Sequence, residues 1–518
     1  MELSNARYDT LGNRMVHPNM TPLKVYLLGG GGAAFLTLGY ILIVTWSSLV
    51  KHNVYEQLKL KEDSESFKLW RDTPVPQEMS FYLFNWSNPQ DLHDEKPSFT
   101  EMGPYTFSVV EKKTAIVWND NGTVTYKVKR FWMFDPDKSK GSLEDEIVML
   151  NSVALSAART IRHKSFFVKK GLSSTMWSIR QEISIKHTVG DILFFGYEDK
   201  LLDIGRSFPA FADVEIPPYD KFAWFYNRNG SEDFDGVFNM DTGVNDIYSI
   251  GKLHNWNFKN RTSYYESTCA CINGSAGELF PPERTKSNIV MFSADLCRSI
   301  NLSFSNEEEI HGIKAFKYVA DKYTFDNGSL DPSNECFCDG QCSPSGVTNV
   351  TRCRYGAPGF ISFPHFHLAD NFYTEQVKGL KPIADKHTLH ITLEPNTGVP
   401  LDVAARFQVN LLLEPTPDIG LFEDVPTIYF PMIWFEQKVT ISEELAAEVR
   451  MVLLLPFIGQ CFSSFLVIIG IVMILFAIYL RLQCVRKPEK DEDIKRTEGA
   501  GEPLMGVEIK EIMNQKTS

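Results

Sequence analysis

The chain has 518 residues, 43% of them hydrophobic, and a formal net charge of −13. A mean hydropathy of −0.17 excludes a multi-span transporter. The length allows several cores, but the apolar residues concentrate in two runs.

The first run, Val25 to Val50, holds no charge over 26 residues, enough for a helix to cross a ~30 Å hydrocarbon core. It lacks a small-residue cleavage site before Lys51, so it reads as an anchor and not as a signal peptide. Gly29 to Gly32 lie inside it, where they permit close helix packing and cannot cradle phosphate.

Beyond the span, Phe81–Phe84, Tyr105–Val110, Ala115–Trp118 and Val124–Val128 carry strand residues separated by turn signals, including Asn121-Gly122. Leu143 to Ile161 reads as a helix with Ser142 as its N-cap and acids in its first turn. With the shorter apolar pieces to about residue 204 it forms a helical insert on a β body. Later strand candidates are Ile289–Phe292, Gly312–Val319, Gly359–Phe363, Leu389–Leu393, Ala405–Leu413 and Thr427–Trp434. Glu307 to Glu309 reads as a solvated loop.

The second run, Met451 to Leu480, is again uncharged. Arg481, Arg486 and Lys487 follow it, and Arg7, Arg14 and Lys24 precede the first run, which places both tails in the cytoplasm. The expected layout is a tail at 1–24, a span at 25–50, an ectodomain at 51–450 with its insert at 142–204, a span at 451–480 and a tail at 481–518.

The ectodomain carries eight N-x-[ST] sequons, at Asn85, Asn121, Asn229, Asn260, Asn273, Asn301, Asn327 and Asn349, expected as N-glycosylation sites. Seven of the nine cysteines fall between Cys269 and Cys353. In an exported domain they read as disulfides with one thiol left over. Cys484, at the cytoplasmic edge of the second span, is a palmitoylation candidate.

The chain carries no G-x-S-x-G, H-E-x-x-H or G-x-x-x-x-G-K, so neither an enzyme nor a cofactor is expected. His365 and His367, spaced to share one strand face, are weighed as metal ligands and assigned to structural hydrogen bonding. Lys169 and Lys170, with Arg159, Arg162 and Lys164, form a basic surface suited to anionic particles or lipid headgroups. No nucleic-acid partner is expected.

From about residue 25 to 485 the chain resembles the CD36 family of class B scavenger receptors. The resemblance rests on Phe67-Lys-Leu-Trp70, Phe81-Tyr-Leu-Phe-Asn-Trp-Ser-Asn-Pro89, Glu101-Met-Gly-Pro-Tyr-Thr-Phe107 and Leu150-Asn151. It continues through Asn273-Gly-Ser275, Pro281-Pro282, Asp295-Leu-Cys-Arg-Ser-Ile300, Cys336-Phe-Cys338 and Ile361-Ser-Phe-Pro-His-Phe366. It ends on Glu394-Pro-Asn-Thr-Gly398, Ala405-Arg-Phe-Gln-Val-Asn410 and Pro431-Met-Ile-Trp434. High aromatic content and short tails look more like the insect branch.

The resemblance implies an α+β fold: an irregular antiparallel β-barrel ectodomain with an apical helical bundle and an internal hydrophobic tunnel, anchored by two transmembrane helices. It implies Cys269–Cys336, Cys297–Cys353 and Cys338–Cys342 pairs, leaving Cys271 free. Lysines on the apical bundle make Lys169 and Lys170 the first candidates for ligand contact. The function implied is a plasma-membrane receptor that binds lipids, lipoproteins or anionic particles and passes fatty acid, sterol or carotenoid to the membrane. A homo-oligomer is a further expectation. The alternatives are a phagocytic receptor, a lysosomal trafficking or lipid-export receptor of the same family, and a two-span ligand-gated channel. Glu502-Pro-Leu504-Met505 lacks acidic-dileucine spacing, which favours surface or endosomal over lysosomal residence.

Overall fold

A computed structural model describes residues 22–207, 219–338, 340, 342–354 and 356–497, without the side chains of 206–207 and 484–497. The chain divides into two compact units: residues 1–52 with 453–518, and residues 53–452.

The first unit is a pair of apolar membrane-spanning helices, drawn from α1 (Pro22–Leu58) and from the last helix, Glu443–Thr497. Small residues set their spacing. A Cβ on Gly39 would sit 2.8 Å from the Ser463 carbonyl, and one on Gly470 2.7 Å from that of Gly32. Gly459 clears room for the Trp46 indole, whose Nε1–H donates to the Leu455 carbonyl at 2.9 Å.

The second unit is a near-closed antiparallel β-barrel with helical elements. Its strands are β1 (Gln77–Trp86), β2 (Phe99–Trp118), β3 (Thr123–Phe134), β4 (Glu146–Leu150), β5 (Ser184–Thr188), β6 (Val237–Asp241), β7 (Leu253–Trp256) and β8 (Ile289–Ser293). They continue with β9 (Arg298–Ile310), β10 (Ile313–Val319), β11 (Val347–Asn349), β12 (Gly359–Ser362), β13 (His390–Leu393), β14 (Pro400–Leu413) and β15 (Ile428–Thr440). Thirteen form one sheet in the order β7-β6-β3-β2-β1-β15-β14-β13-β10-β9-β8, with β12 on β14 and β11 on β12.

The seam between β7 and β8 is bridged by Gly274 and Ser275. The Gly274 carbonyl accepts from Leu253 N–H at 2.8 Å, and that of Ser275 from Phe292 N–H at 2.7 Å. In β1, Met79, Phe81, Leu83 and Trp86 are buried, a near-alternation that faces the core. Gly103, at φ +124°, lies where a Cβ would meet the Phe81 carbonyl at 2.6 Å, so only glycine fits.

The helices of this unit are α2 (Glu65–Arg71), α3 (Ser152–Ile161), α4 (Phe166–Ser178), α5 (Lys200–Ser207), α6 (Asn371–Glu375) and α7 (Ala384–His387). The expected helix over 143–161 begins as a strand. Residues 146–150 pair with β5, and α3 starts only at Ser152. The Ser142 hydroxyl instead accepts from Glu144 N–H at 3.2 Å in a local turn, and Asp145 receives the Tyr105 hydroxyl at 3.0 Å. The N-cap is Asn151, whose Oδ1 takes Ala154 N–H at 3.0 Å. Val153, Ala154, Leu155, Ala158 and Ile161 then enter the main core.

Glu307 to Glu309 lie in β9 and not in a loop. Lys286, from the bend before β8, reaches Glu307 at 2.7 Å, and Lys317 of β10 reaches Glu308 at 3.1 Å, while Thr392 of β13 donates to Glu308 at 2.6 Å, so partners from elsewhere in the sheet offset the acidity.

Candidate functional site

Between α3, α4, α5 and the barrel wall lies a cavity of about 340 Å³, within the usual range for small-molecule sites of ~300–1,000 Å³. Its body is apolar. Val153 and Ala157 come from α3, Leu172 from α4 and Leu202 from α5. The barrel adds Ile361 of β12, Phe407, Val409 and Leu411 of β14, and Ile433 and Phe435 of β15. Phe222, Trp224 and Phe225 close one side. Inward residues of a strand recur at every second position, which is why 407, 409 and 411 share this wall.

One end is charged. Arg228 Nη2 lies 3.2 Å from Asp235 and 3.2 Å from Asp295, and its guanidinium stacks on the Phe234 ring at 3.6 Å. Arg354 Nη2 donates to the Asp295 carbonyl at 2.7 Å and approaches its carboxylate at 3.4 Å. Asp295 lies deep in the unit, yet 43% of its side-chain surface is reached by solvent, because it faces the cavity. Burial pushes its carboxyl up, but Arg228, Arg354 and Arg130 outweigh this and hold it below the usual range.

Behind Arg228 the network runs inward. Arg130 bonds Glu111 at 2.6 Å and also Asp235, and Lys113 joins Glu111 to Glu278, the latter at 2.7 Å. Burial and the neighbouring Glu111 carboxylate raise the Glu278 carboxyl against the pull of Lys113.

The basic residues singled out in the sequence sit beside this cavity, on α3, α4 and the turn between them. They are not a bare patch. The loop after β14 supplies an acid to three of them: Lys169 meets Asp418 at 2.6 Å, Lys170 meets Glu423 at 3.9 Å, and Arg159 meets Glu414. Arg162 donates to the Arg159 carbonyl at 3.1 Å, and the Lys164 N–H donates to the Ile161 carbonyl at 2.8 Å. The loop is pinned by buried Ile419, Phe422 and Val425 and by Gly420 N–H on the Ser173 hydroxyl at 2.9 Å. Its acids lie some 250 residues from the cations they meet, so no local signal announces them. Sequence reading also missed three exposed aromatics on α4: Phe166, Phe167 (84% exposed) and Trp177 (84%).

Cys269–Cys336, Cys297–Cys353 and Cys338–Cys342 are disulfides, with Cα separations of 5.8, 6.5 and 4.7 Å. Cys271 carries a free thiol, with Arg261 Nη1 3.2 Å from its sulfur. The side chain of Cys484 and the motif at 502–505 lie outside the described residues. Among the sequons, Asn121, Asn229, Asn260, Asn273 and Asn301 are exposed, and Asn85 and Asn349 are half-buried. Asn327 differs: it is 7% exposed and its amide donates to the Ser343 carbonyl, so a glycan there requires the loop to open.

His365 and His367 do not share a strand face, because Pro364–Phe366 is a 3-10 turn with His365 at φ +54°. His365 Nδ1 accepts from Lys381 N–H at 3.0 Å, which leaves the Nε2 proton to donate to Glu101 at 2.5 Å. Burial raises the Glu101 carboxyl, but bonds from His365 and Trp434 outweigh it and hold it at about 2. His367 bonds the Thr388 hydroxyl at 3.0 Å. Among the described residues no group of three or more His, Cys, Asp and Glu is placed to hold a metal ion.

A near-closed antiparallel barrel with an apolar cavity, helical elements and two apolar membrane-spanning helices makes a receptor-like membrane architecture. The CD36 family profile matches residues 30–481, and the chain belongs to that family of non-catalytic receptors. It is 38% identical over 447 residues to Protein peste of Drosophila melanogaster, covering 85% of this chain and 80% of that protein. It is 33% identical over 465 residues to Scavenger receptor class B member 1 of Bos taurus, covering 89% and 90%. It is 31% identical over 428 residues to Lysosome membrane protein 2 of Homo sapiens, covering 80% and 87%.

Proposed function

We propose that this chain is a plasma-membrane receptor that docks lipids or lipoproteins on its helical cap and passes a hydrophobic cargo through the barrel cavity to the bilayer. Both tails are cytoplasmic in this reading, and the barrel unit is the glycosylated ectodomain. The observation that carries it is the apolar cavity between α3, α4, α5 and the barrel wall. Apolar cargo gains ~25 cal/mol per Å² on leaving water, so a protein-lined apolar path lowers the barrier between a carrier and a membrane. The exposed Phe166, Phe167 and Trp177 beside the cavity supply an apolar docking face, with Lys170 5.9 Å from the Phe166 ring. Insect-type membership draws support from the higher identity to the fruit-fly relative than to the mammalian ones.

The test is lipid uptake by cells expressing the chain, with surface level controlled, against Ala157→Trp, which fills the cavity from α3. Selective uptake is expected to fall several-fold in the filled variant while particle binding persists. Uptake unchanged by Ala157→Trp would sink the passage and leave a docking or phagocytic receptor.

A further inference from the structure

A second cavity, of about 1,100 Å³, lies against the outer face of β9. Ile300 and Leu302 enter the core, so Ser299, Asn301 and Ser303, at alternate positions, face out and line it. Thr268, Asn334 and Phe337, from the two turns joined by the Cys269–Cys336 disulfide, line it as well. Tyr248 and Tyr323 add exposed rings, and Asn288 an exposed amide. Arg284, also on the wall, is half-buried. Its buried Nε–H has no hydrogen-bond partner, and no ion pair reaches it among the described residues. A buried donor left unmade is costly, and a charged one more so. This lining differs in kind from the apolar chamber. A pyranose suits it, since a sugar offers a face of C–H groups to an aromatic ring and a rim of hydroxyls to amide and guanidinium partners. Asn301 is exposed and begins a sequon, so a glycan attached there starts inside the cleft.

We propose that this cleft is a carbohydrate site whose occupant is the chain's own N-glycan, carried on Asn301 and packed over Tyr323, with Arg284 donating to its hydroxyl oxygens. The inference rests on the glycosylated ectodomain proposed above and gives one of its sugars a binding site. Attachment decides the occupant. A single sugar–protein contact is weak, but a glycan tethered to the wall meets it at a millimolar effective concentration. A soluble sugar has no such advantage and must first displace the tethered one. Asn273 also lines the cleft, but from the loop that bridges β7 and β8, whereas Asn301 is fixed in mid-strand opposite Val290. Docked there, the glycan ties the disulfide-linked turns to β9 without a further covalent bond.

The experiment uses the full-length chain, made in cells held at the high-mannose stage, purified in lipid nanodiscs and treated with endoglycosidase H without denaturant. Peptide mass spectrometry reads release at each sequon separately. Release scales with the fraction of glycan out of the cleft, so nine-tenths docking slows it ~10-fold. Asn301 is expected to lose its glycan at least ~10-fold more slowly than the exposed Asn121 and Asn229, and at the same rate as they do once the chain is denatured. Arg284→Met and Tyr323→Ser are each expected to bring Asn301 to within ~3-fold of Asn121 while the other sequons keep their wild-type rates. A general loosening of the fold speeds the half-buried Asn85 and Asn349 as well, which separates damage from undocking. Release at Asn301 as fast as at Asn121 in the wild type overturns the proposal and leaves the glycosylated ectodomain standing. Slow release that survives both variants also overturns it and assigns the protection to crowding on β9. An Asn301 that carries no glycan, beside glycosylated neighbours, overturns the proposal, and a chain with no glycan at any sequon overturns both readings.

Discussion

α3 and α4 are neighbours in the same cap and serve opposite ends. α3 buries Val153, Ala154, Leu155, Ala158 and Ile161, whereas α4, three residues longer, buries only Leu172 and Met176. Phe166, Phe167 and Trp177 of α4 are left in solvent. The first helix holds the cap to the barrel and the second presents a face. Apolar content alone does not separate these jobs, because the difference lies in which residues the barrel meets.

The strongest way to sharpen this contrast is to hollow α3. Leu155→Ala is expected to destabilise the barrel unit by about 2–5 kcal/mol, the usual cost of a buried leucine truncation, read as a fall in thermal midpoint. A polar counterpart comes next. His365 has Glu101 as its partner, while the stacked His387, 1% exposed, accepts Ile383 N–H on Nδ1 and leaves Nε2 without one among the described residues. Burial, then His365, pushes the His387 imidazole down to about 3, with Glu101 opposing and Lys386 and His367 adding to it. Between about 6.5 and 3 the unfolded chain therefore binds the extra proton, so stability falls as pH falls, by up to ~1.4 kcal/mol per pH unit. His387→Gln is expected to flatten the thermal midpoint between pH 6.5 and 4.5; an unchanged slope would assign acid sensitivity elsewhere. The smallest stability change belongs to α4. Phe167→Ala with Trp177→Ala is expected to shift stability by no more than ~0.5 kcal/mol while particle binding falls. A large loss of stability would show that α4 is a packing helix like α3.

What was legible in the sequence was local. Asn121-Gly122 announced the β2–β3 hairpin, and the alternation through Phe407, Val409 and Leu411 announced a wall strand. The stretch before Asn151 misled because Ser142 and three acids imitate a helix start, while the deciding partner, β5, lies more than thirty residues on. The charges of Glu307 to Glu309 misled because Lys317 comes from the neighbouring strand β10 and Lys286 from the bend before β8. The cavity was illegible for the same reason on a larger scale. Arg228, Asp295 and Arg354 meet only when the barrel does, although Asp295 stood within a family motif.

The sheet order has a consequence for how the protein is made. β1 pairs with β15, and Phe81 lies opposite Phe435, roughly 350 residues later. At ~5–20 residues per second a ribosome needs about 20–70 s to deliver the second strand after the first. For that interval β1 offers one unpaired edge and the buried face of Phe81, Leu83 and Trp86 to whatever is nearby. The barrel is therefore completed only late in synthesis. A chain cut short anywhere before residue 428 leaves its first strand without its last neighbour.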